Sequence, residues 1–317
     1  MASLPETQET VVELRERLNR LYEDTGMSWA EIAAESGIKA GTLTQWAKGT
    51  YAGDNLRYAA EVRRYLDGRA ALAALQTGTV EDPGFLETLT ADRILGLLQW
   101  AQTGKIVAVA AGPGTGKTMA AREYRTRSAN VWLATMKPSS SGVQPMQMTV
   151  LAAMGDVDGK GSPQQLSARI LAKVRGTRGL IIVDEAQELS EKALDELRSW
   201  HDECGIGIAL LGDERVIGRL GGLRRAELAR LHSRVSMRHI QKGPTEQDAA
   251  MVARGWGISD EAMLRFLKQL AEKPGGLRGI SMVIELGSLL AAREERSPSL
   301  SDLREAWAQL NSELMGA

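Results

Sequence analysis

Cysteine, histidine and long apolar runs are all scarce in this chain. It contains one cysteine, Cys204, and three histidines, His201, His232 and His239, among 317 residues. A single cysteine excludes an internal disulfide and a multi-cysteine zinc site, and the histidines lack metal-ligand spacing. No apolar run reaches the roughly 18 residues that a membrane-spanning helix needs. The N-terminus also lacks an apolar signal region, so we expect a cytoplasmic protein that contacts no membrane.

The chain also lacks an excess of charge of either sign. Its formal net charge is −1 at pH 7. Composition alone therefore does not predict a protein that binds nucleic acid. Any such function has to come from local clusters of basic residues.

Residues 1–67 have the pattern of a helix-turn-helix domain. Apolar residues in "VVELRERLNRLY" recur at helical spacing, and Ser28 with Glu31 predicts a capping box at the start of a second helix. Gly37 separates this helix from a third, which would carry the DNA contacts. We expect it to bind DNA mostly without reading sequence, although protein contacts remain an alternative. The candidate DNA-binding residues are Lys39, Thr42, Thr44, Gln45 and Lys48.

The rest of the chain divides into three further segments. Residues 68–92 contain Gly78, Pro83 and Gly84 and are predicted to form a linker. In residues 93–242, short apolar runs such as "KIVAVAA" and "GLIIVD" alternate with helical patterns, which is typical of an α/β fold with a buried parallel sheet. Residues 243–317 contain only helical patterns and predict a small all-α domain.

A glycine-rich stretch follows the first predicted strand of the α/β segment. In such a loop, backbone N–H groups converge on phosphate, and the following helix N-terminus adds partial positive charge. Lys117 would contact the β- and γ-phosphates of ATP, and Thr118 would bind Mg²⁺. Ala111 stands where the strict phosphate-loop pattern has glycine, which concerns only the tightness of the first turn. The predicted nucleotide-binding residues of the loop are Gly112, Pro113, Gly114, Thr115, Gly116, Lys117, Thr118 and Met119.

Two carboxylates follow the apolar strand "LIIVD". Asp184 would hold Mg²⁺, directly or through water, and Glu185 would polarise the attacking water. The next strand is followed by Asp213, which we expect to lie between the two motifs and to hold that water. Asp213 could instead serve as a turn residue or a helix cap.

Several arginines follow in the second half of the chain. Arg219, Arg224 and Arg225 flank "GGL" and are candidates for neutralising DNA phosphates. Arg234 precedes a predicted strand and would reach the γ-phosphate of a neighbouring subunit as an arginine finger. Arg278 stands in the first turn of a helix in the small domain, where it would close that domain over the nucleotide as a lid.

Together these residues resemble an AAA+ ATPase. The matching motifs are Walker A "GPGTGKT", Walker B "LIIVDE" and sensor 2 "GGLR". Asp213 matches sensor 1 and Arg234 the arginine finger. The domain order and the stretches "ESGIKAGTLTQW", "YAGDN", "GKTMAAREYR", "NVWLAT" and "ARLHSR" are similar to the family of bacteriophage Mu transposition protein B. The resemblance covers nearly the whole chain.

The resemblance implies a DNA-stimulated ATPase that uses ATP and Mg²⁺. Members of that family assemble on double-stranded DNA as helical filaments with little sequence preference, activate a DDE-type transposase, and deliver target DNA to it. ATP hydrolysis releases the protein from DNA, and binding of the transposase provokes that release, which gives target immunity. Two other functions remain open from the residues alone: a helicase loader or replication initiator of the same superfamily, and an ATP-regulated transcription factor.

Overall fold

The computed structural model of the protein describes residues 9–76, 81–220 and 226–311. The chain divides into two compact units, Met1–Thr79 and Val80–Ala317. No helix within the described ranges is both long and apolar enough to cross a bilayer.

The first unit consists of four helices around a small apolar core. Leu14, Leu18, Ile32, Leu43 and Trp46 are all fully or almost fully buried in this core. The predicted capping box forms between Ser28 and Glu31, and Gly37 ends the second helix in the left-handed conformation. The helices are α1 (Val11–Thr25), α2 (Trp29–Ser36), α3 (Ala40–Ala47) and α4 (Asn55–Gln76).

Helix α4 continues into the segment predicted as a linker. Its last turns have the sequence "RAALAALQ", and alanine and leucine are strong helix formers that outweigh the single glycine before them. The second unit also begins before residue 93, because α5 spans Leu89–Gln102 and Thr88 caps its N-terminus. Residues 77–80 lie outside the described part of the chain, so the described non-helical connection is the segment 81–88.

The second unit contains the predicted parallel sheet. Its strands are β1 (Ile106–Ala111), β2 (Val131–Thr135), β3 (Leu180–Asp184), β4 (Gly207–Gly212) and β5 (Val235–Gln241), in the order β2-β3-β4-β1-β5. All four pairings are parallel. Strands β1, β3 and β4 are buried along their whole length, which is why their sequences are apolar except for Asp184 at the end of β3.

Helices cover both faces of this sheet. Side chains along β1 alternate between two apolar clusters: Ile106 and Ala108 face one, and Val107 and Val109 face the other. Helices α5 and α6 (Lys117–Arg127) close the second cluster, while α7 (Val143–Ala153), α8 (Pro163–Val174) and α9 (Glu191–Cys204) close the first. Helices α10 (Glu214–Leu220) and α11 (Ala226–Arg234) precede β5.

Four helices form a lid subdomain after the sheet, as the sequence predicts. They are α12 (Glu246–Gly255), α13 (Glu261–Ala271), α14 (Gly276–Ala292) and α15 (Leu300–Asn311), and they share an apolar core of their own.

One buried carboxylate connects this lid to the sheet region. Asp248 on α12 is fully buried and accepts hydrogen bonds from the backbone N–H and hydroxyl of Thr90 on α5, at 2.9 and 2.6 Å. It also accepts bonds from the backbone N–H and hydroxyl of Thr245, at 3.0 and 2.7 Å. The position of the lid relative to α5 is therefore fixed by polar contacts as well as by packing.

Candidate nucleotide-binding site

The glycine-rich loop runs from the end of β1 to the start of α6. Gly114 and Gly116 have φ angles of +71° and +90°, a region that favours glycine. The Thr115 hydroxyl closes the loop by donating to the Gly112 carbonyl at 2.9 Å. Ala111, which replaces the usual glycine, is the last residue of β1 and is absent from the positive-φ residues. Alanine at this position therefore causes no backbone strain.

Lys117 is the first residue of α6, and its ammonium group is folded back onto the loop. Its Nζ atom donates to the carbonyls of Ala111 and Gly112, at 2.5 and 3.0 Å. Burial lowers the pKa of Lys117, while the nearby charges of Glu185, Asp184 and Asp213 act in the opposite direction. The site thus holds a partly desolvated cation beside a loop whose backbone is suited to binding phosphate.

Thr118 and Asp184 meet although they are 66 positions apart. The Thr118 hydroxyl donates to Asp184 Oδ2 at 2.8 Å, which brings the end of β3 against the start of α6. Burial raises the pKa of Asp184, and the hydrogen bond from Thr118 partly offsets this effect. A hydroxyl beside a carboxylate is a ligand pair that suits Mg²⁺, which takes few protein ligands and shares the rest with phosphates and water. Among the described residues, no group of three or more His, Cys, Asp or Glu has a metal-binding arrangement.

Glu185 follows Asp184 in an unusual backbone conformation. Its φ and ψ are 55° and 40°, the left-handed region that non-glycine residues rarely adopt. Its backbone N–H donates to Asp184 Oδ1 at 3.1 Å, and Gln187 Nε2 donates to its Oε2. Glu185 lines the cavity described below, so its side chain is accessible to a bound ligand.

Asp213 is the first residue after β4, and β4 lies between β1 and β3 as predicted. Its carboxylate accepts bonds from the backbone and side chain of Arg215, at 2.9 and 2.8 Å, so it caps the start of α10. It also contributes to the electrostatic environment of Lys117. Asp213 therefore serves as the N-terminal cap of α10, and it does not line the cavity described below.

A cavity of about 640 Å³ opens between the loop, the lid and the segment 81–88. The loop lines it from Pro113 to Met119, together with Arg122 of α6. On the lid side, Arg278, Ser281 and Glu285 of α14 line it at spacings of three and four residues, which place them on one helix face. The predicted residues of the loop, Glu185 and Arg278 thus share one cavity. Gly112 supports the loop from below, where its backbone packs against Lys242.

The apolar end of the cavity contains residues that sequence reasoning missed. Phe85 and Leu86 precede α5, and Trp256 follows α12; all three line the cavity. They are adequate for an aromatic base, because nucleotide pockets combine apolar walls with a few polar groups. The only sequence signal was an apolar pair, "FL", inside a stretch that otherwise reads as loop.

The lid contacts the phosphate loop directly through backbone atoms. The N–H of Leu277 donates to the Gly114 carbonyl at 2.9 Å. A Cβ atom on Gly114 would lie 2.1 Å from the Gly275 carbonyl oxygen, and one on Gly276 would lie 3.0 Å from the Gly114 carbonyl oxygen. Close approach between lid and loop therefore favours glycine at positions 114 and 276, whereas at position 275 it is the φ angle of +104° that favours glycine.

Arg234 is separate from this cavity. It ends α11, its side chain is 52% exposed, and its Nε atom bonds Asp202 Oδ1 at 2.9 Å. Arg198 bonds the same carboxylate group. Burial raises the pKa of Asp202, but these two arginines outweigh that effect and hold its pKa below the ordinary value.

The candidate DNA-binding residues fall into three groups. Lys39, Gln45 and Lys48 are exposed on or beside α3. Thr42 and Thr44 are half-buried, and the Thr44 hydroxyl donates to the Ala40 carbonyl at 2.8 Å. For the third group there is no description: the side chain of Arg219 and all of Arg224 and Arg225 lie outside the described part of the chain.

Two protein families match parts of this chain. The AAA domain family matches residues 101–220, and the family "Mu B transposition protein, C terminal" matches residues 233–310. The "ATP-dependent target DNA activator B" of Escherichia phage Mu is 34% identical over 303 residues, covering 95% of this chain and 96% of that protein. The "Mu-like prophage FluMu DNA transposition protein B" of Haemophilus influenzae is 36% identical over 266 residues, covering 83% and 92%.

Solved structures with a similar fold are more distant in sequence. The ORC2 protein of Aeropyrum pernix has a TM-score of 0.52 at 15% identity, covering 69% of this chain and 66% of that one. Cdc6p of Pyrobaculum aerophilum has a TM-score of 0.50 at 14% identity, covering 68% and 64%. These likenesses show the α/β fold with a helical lid and carry no information about function.

Proposed function

The chain belongs to the Mu B transposition protein family, and on that premise we propose that it binds and hydrolyses ATP to activate target DNA for transposition. One observation carries the nucleotide part of this proposal. The phosphate loop with Thr118, the end of β3 with Asp184 and Glu185, and the lid with Arg278 converge from three separate chain segments around one site. The relatives' names associate proteins of this kind with target DNA and with transposition.

Different residues of the site would bind the phosphates, the Mg²⁺ ion and the base of MgATP. The loop N–H groups and the start of α6 attract the phosphates, and Lys117 exchanges its carbonyl partners for phosphate oxygens. Thr118 and Asp184 would hold Mg²⁺, which supplies charge neutralisation for the phosphates when bound. Phe85, Leu86 and Trp256 enclose the base.

Hydrolysis needs a group that orients the attacking water. Glu185 lines the cavity beside the loop and carries a carboxylate that suits this role. Arg278 lines the same cavity from the lid, where a guanidinium stabilises negative charge on the phosphates. Asp213 contributes its charge near Lys117 and caps the start of α10 directly after β4.

Arg234 is proposed to act on the next subunit. It does not line the cavity of its own chain, it is half exposed, and Asp202 holds it at the end of α11. A nucleotide contacted by two subunits favours the assembled state, so oligomerisation depends on ATP and hydrolysis weakens it. Helical assembly on DNA follows if each subunit repeats this contact.

DNA binding is proposed to come from exposed cations rather than from overall charge. Lys39 and Lys48 stand at the two ends of α3 with Gln45 between them. A few phosphate contacts per subunit are weak and insensitive to sequence, and an assembly multiplies them. The resulting protein coats double-stranded DNA with little sequence preference and presents it to a DDE-type transposase.

Electron microscopy and sedimentation with duplexes of unrelated sequence test this proposal. We expect ATP, but not ADP, to produce protein–DNA assemblies of similar affinity on every duplex. The Glu185→Gln variant should bind ATP normally and form assemblies that persist, because hydrolysis is lost. A discrete footprint on one sequence would favour an ATP-regulated transcription factor. Failure to bind any duplex with any nucleotide would overturn the proposal.

A mixing experiment tests the position of the arginine finger. Arg234→Ala should bind ATP yet lose hydrolysis, because stabilisation of the transition state is removed. Mixed with Glu185→Gln subunits, it should regain activity at interfaces where an intact Arg234 meets an intact Glu185. Mixtures as inactive as either variant alone would contradict action between subunits.

A further inference from the structure

Gln187 is a buried amide at the carboxyl ends of two strands of the sheet. It lies in a single turn of 3₁₀ helix, Ala186–Glu188, that follows β3, and it is only 4% exposed. Its Nε2 atom donates to Glu185 Oε2. Its Oε1 atom accepts a long bond from the backbone N–H of Asp213, at 3.4 Å, directly after β4. One side chain thus bridges the end of β3 and the end of β4.

The end of β4 is shaped around this amide. A Cβ atom on Gly212 would lie 2.2 Å from Gln187 Oε1 and 2.6 Å from a methyl group of Val216. Glycine is therefore required at position 212 although its φ lies outside the positive region. The Gln187 amide has room because Gly212, at the end of β4, has no side chain.

The bridge leaves Glu185 with one oxygen held and one free. Oε2 accepts the bond from Gln187, whereas Oε1 has no hydrogen-bond partner among the described residues. The backbone of Glu185 is in the left-handed region, which non-glycine residues rarely adopt, and Gln187 is the one hydrogen-bond partner of its carboxylate among the described residues. An external contact is needed to orient the carboxylate, and Gln187 supplies it.

We propose that Gln187 is the positioning residue for Glu185, orienting its carboxylate toward the attacking water and coupling it to the end of β4. This inference rests on the proposed role of Glu185 in ATP hydrolysis. Gln187 is 4% exposed and its hydrogen bonds go to Glu185 and Asp213, so it acts through Glu185. Misplacing a reacting group by about 1 Å costs up to about 100-fold in rate, whereas nucleotide affinity does not depend on this group.

The test compares two buried glutamines that make the same kind of bond. Gln187→Met keeps the length of the side chain and removes both hydrogen bonds. Gln147→Met is the matched control: Gln147 on α7 is fully buried and its Nε2 atom donates to Glu196 Oε1 at 3.0 Å, outside the cavity. Both variants lose a buried amide–carboxylate bond, and Gln187→Met also loses the long bond from Asp213, so the stability of each variant is measured alongside its activity.

The expected results separate positioning from stability. Gln187→Met should lower kcat by about 10- to 100-fold and leave KM and the dissociation constant for ATP within about twofold. Gln147→Met should leave kcat unchanged once the folded fraction is corrected for. Equal kcat in the two variants would overturn the inference. If Gln187→Met does not fold, Gly212→Ala tests the same bridge, because its methyl group displaces the amide.

A double-mutant cycle distinguishes this inference from the proposed function. If Gln187 acts only through Glu185, adding Gln187→Met to Glu185→Gln should cause no further loss of hydrolysis. Losses that multiply would overturn the inference while leaving Glu185 in its role. Normal hydrolysis by Glu185→Gln alone would instead contradict the catalytic role of Glu185.

Discussion

Lys117 is held in the structure by interactions that ATP would replace. Its ammonium donates to two loop carbonyls, and burial lowers its pKa while three carboxylates nearby favour the charged form. The cation is thus already partly desolvated before a phosphate arrives. Less of the binding free energy is then lost to removing water from it.

Removal of this ammonium should affect nucleotide binding far more than stability. We expect Lys117→Ala to weaken ATP binding by about 100-fold, since a hydrogen bond to a charged group contributes up to about 3 kcal/mol. Titration with a fluorescent ATP analogue measures the effect. Lys105→Ala is the control, because Lys105 is exposed before the opposite end of β1. Equal affinities in the two variants would contradict the assignment of the loop.

The residues of the cavity differ in how readily the sequence reveals them. The loop from Gly112 to Thr118 and the pair after β3 were predictable, because their roles depend on neighbours in the chain. Gln187 and Trp256 were not, because their roles depend on partners from other segments. A glutamine after two acids and a tryptophan in a helical pattern both have many ordinary explanations.

At the level of elements, the strands were predicted better than the helices. Strands β1 to β4 are short, mostly apolar runs, because helices cover both faces of the sheet. Helix α5 was missed because it is buried on several sides and lacks a single apolar stripe. Helix α7 was also missed, since it has Pro145 in its first turn and a buried Gln147 on its apolar face.

The buried carboxylate that joins α12 to α5 makes a prediction about stability. Asp248→Asn replaces an acceptor by a donor where four donors converge, so it should cost about 2–3 kcal/mol. Urea unfolding followed by tryptophan fluorescence measures this loss. Asp260→Asn is the control, because Asp260 is an exposed helix cap and asparagine caps almost equally well.

The Asp248 carboxylate also predicts in which direction the free energy of unfolding changes with pH. Burial raises the pKa of Asp248, but the bonds from Thr90 and Thr245 outweigh it, so its pKa lies below the ordinary value. Its contribution is therefore complete above about pH 4, the pKa of an unfolded aspartate, and is lost as the pH falls further. The unfolding free energy of Asp248→Asn should fall less steeply below pH 4 than that of the original chain. Parallel curves would contradict this contribution.

The backbone contact between lid and loop can be tested with two glycines of the lid. Gly276 and Gly257 both have positive φ, at +53° and +81°, so alanine costs roughly 1 kcal/mol of backbone strain at either position. Only at Gly276 would the added methyl group also collide, with Pro244 and the Gly114 carbonyl. We expect Gly276→Ala to weaken ATP binding several-fold and Gly257→Ala to leave it unchanged. Calorimetric titration with ATP compares them, and equal affinities would contradict a functional contact.

At the scale of the whole molecule, the distribution of charge matters more than its sum. Residues 1–79 carry 9 Lys and Arg against 11 Asp and Glu. Four of the arginines in this unit, Arg17, Arg20, Arg57 and Arg69, are paired with carboxylates. Lys39 and Lys48 have no ion pair among the described residues, and they flank α3. Exposed Arg64 on α4 also has no ion pair among the described residues, but two of the unpaired cations of this unit flank the predicted DNA-binding helix.

This distribution predicts how DNA affinity depends on salt. Each phosphate contact contributes about 0.9 to the slope of log affinity against log salt, so Lys39→Ala with Lys48→Ala should reduce that slope by nearly 2. Arg20→Ala with Arg57→Ala is the control of equal charge change, and it should change the slope much less. Fluorescence anisotropy with a labelled duplex at several salt concentrations measures both. Identical slopes in the two double variants would exclude α3 from the DNA contacts.

Two neighbouring residues of the segment 81–88 belong to different apolar cores. Phe85 packs against the cluster of the sheet region, and Leu86 packs against that of the lid, where it lies over Gly255. Because Phe85 and Leu86 are adjacent in the chain, they cannot both stay in place if the lid moves away from the sheet region. Any such movement must withdraw one of the two side chains from its apolar core. For a half-buried side chain this withdrawal costs roughly 1–2 kcal/mol. The segment 81–88 therefore resists separation of the lid from the sheet region, because it is anchored in both apolar cores.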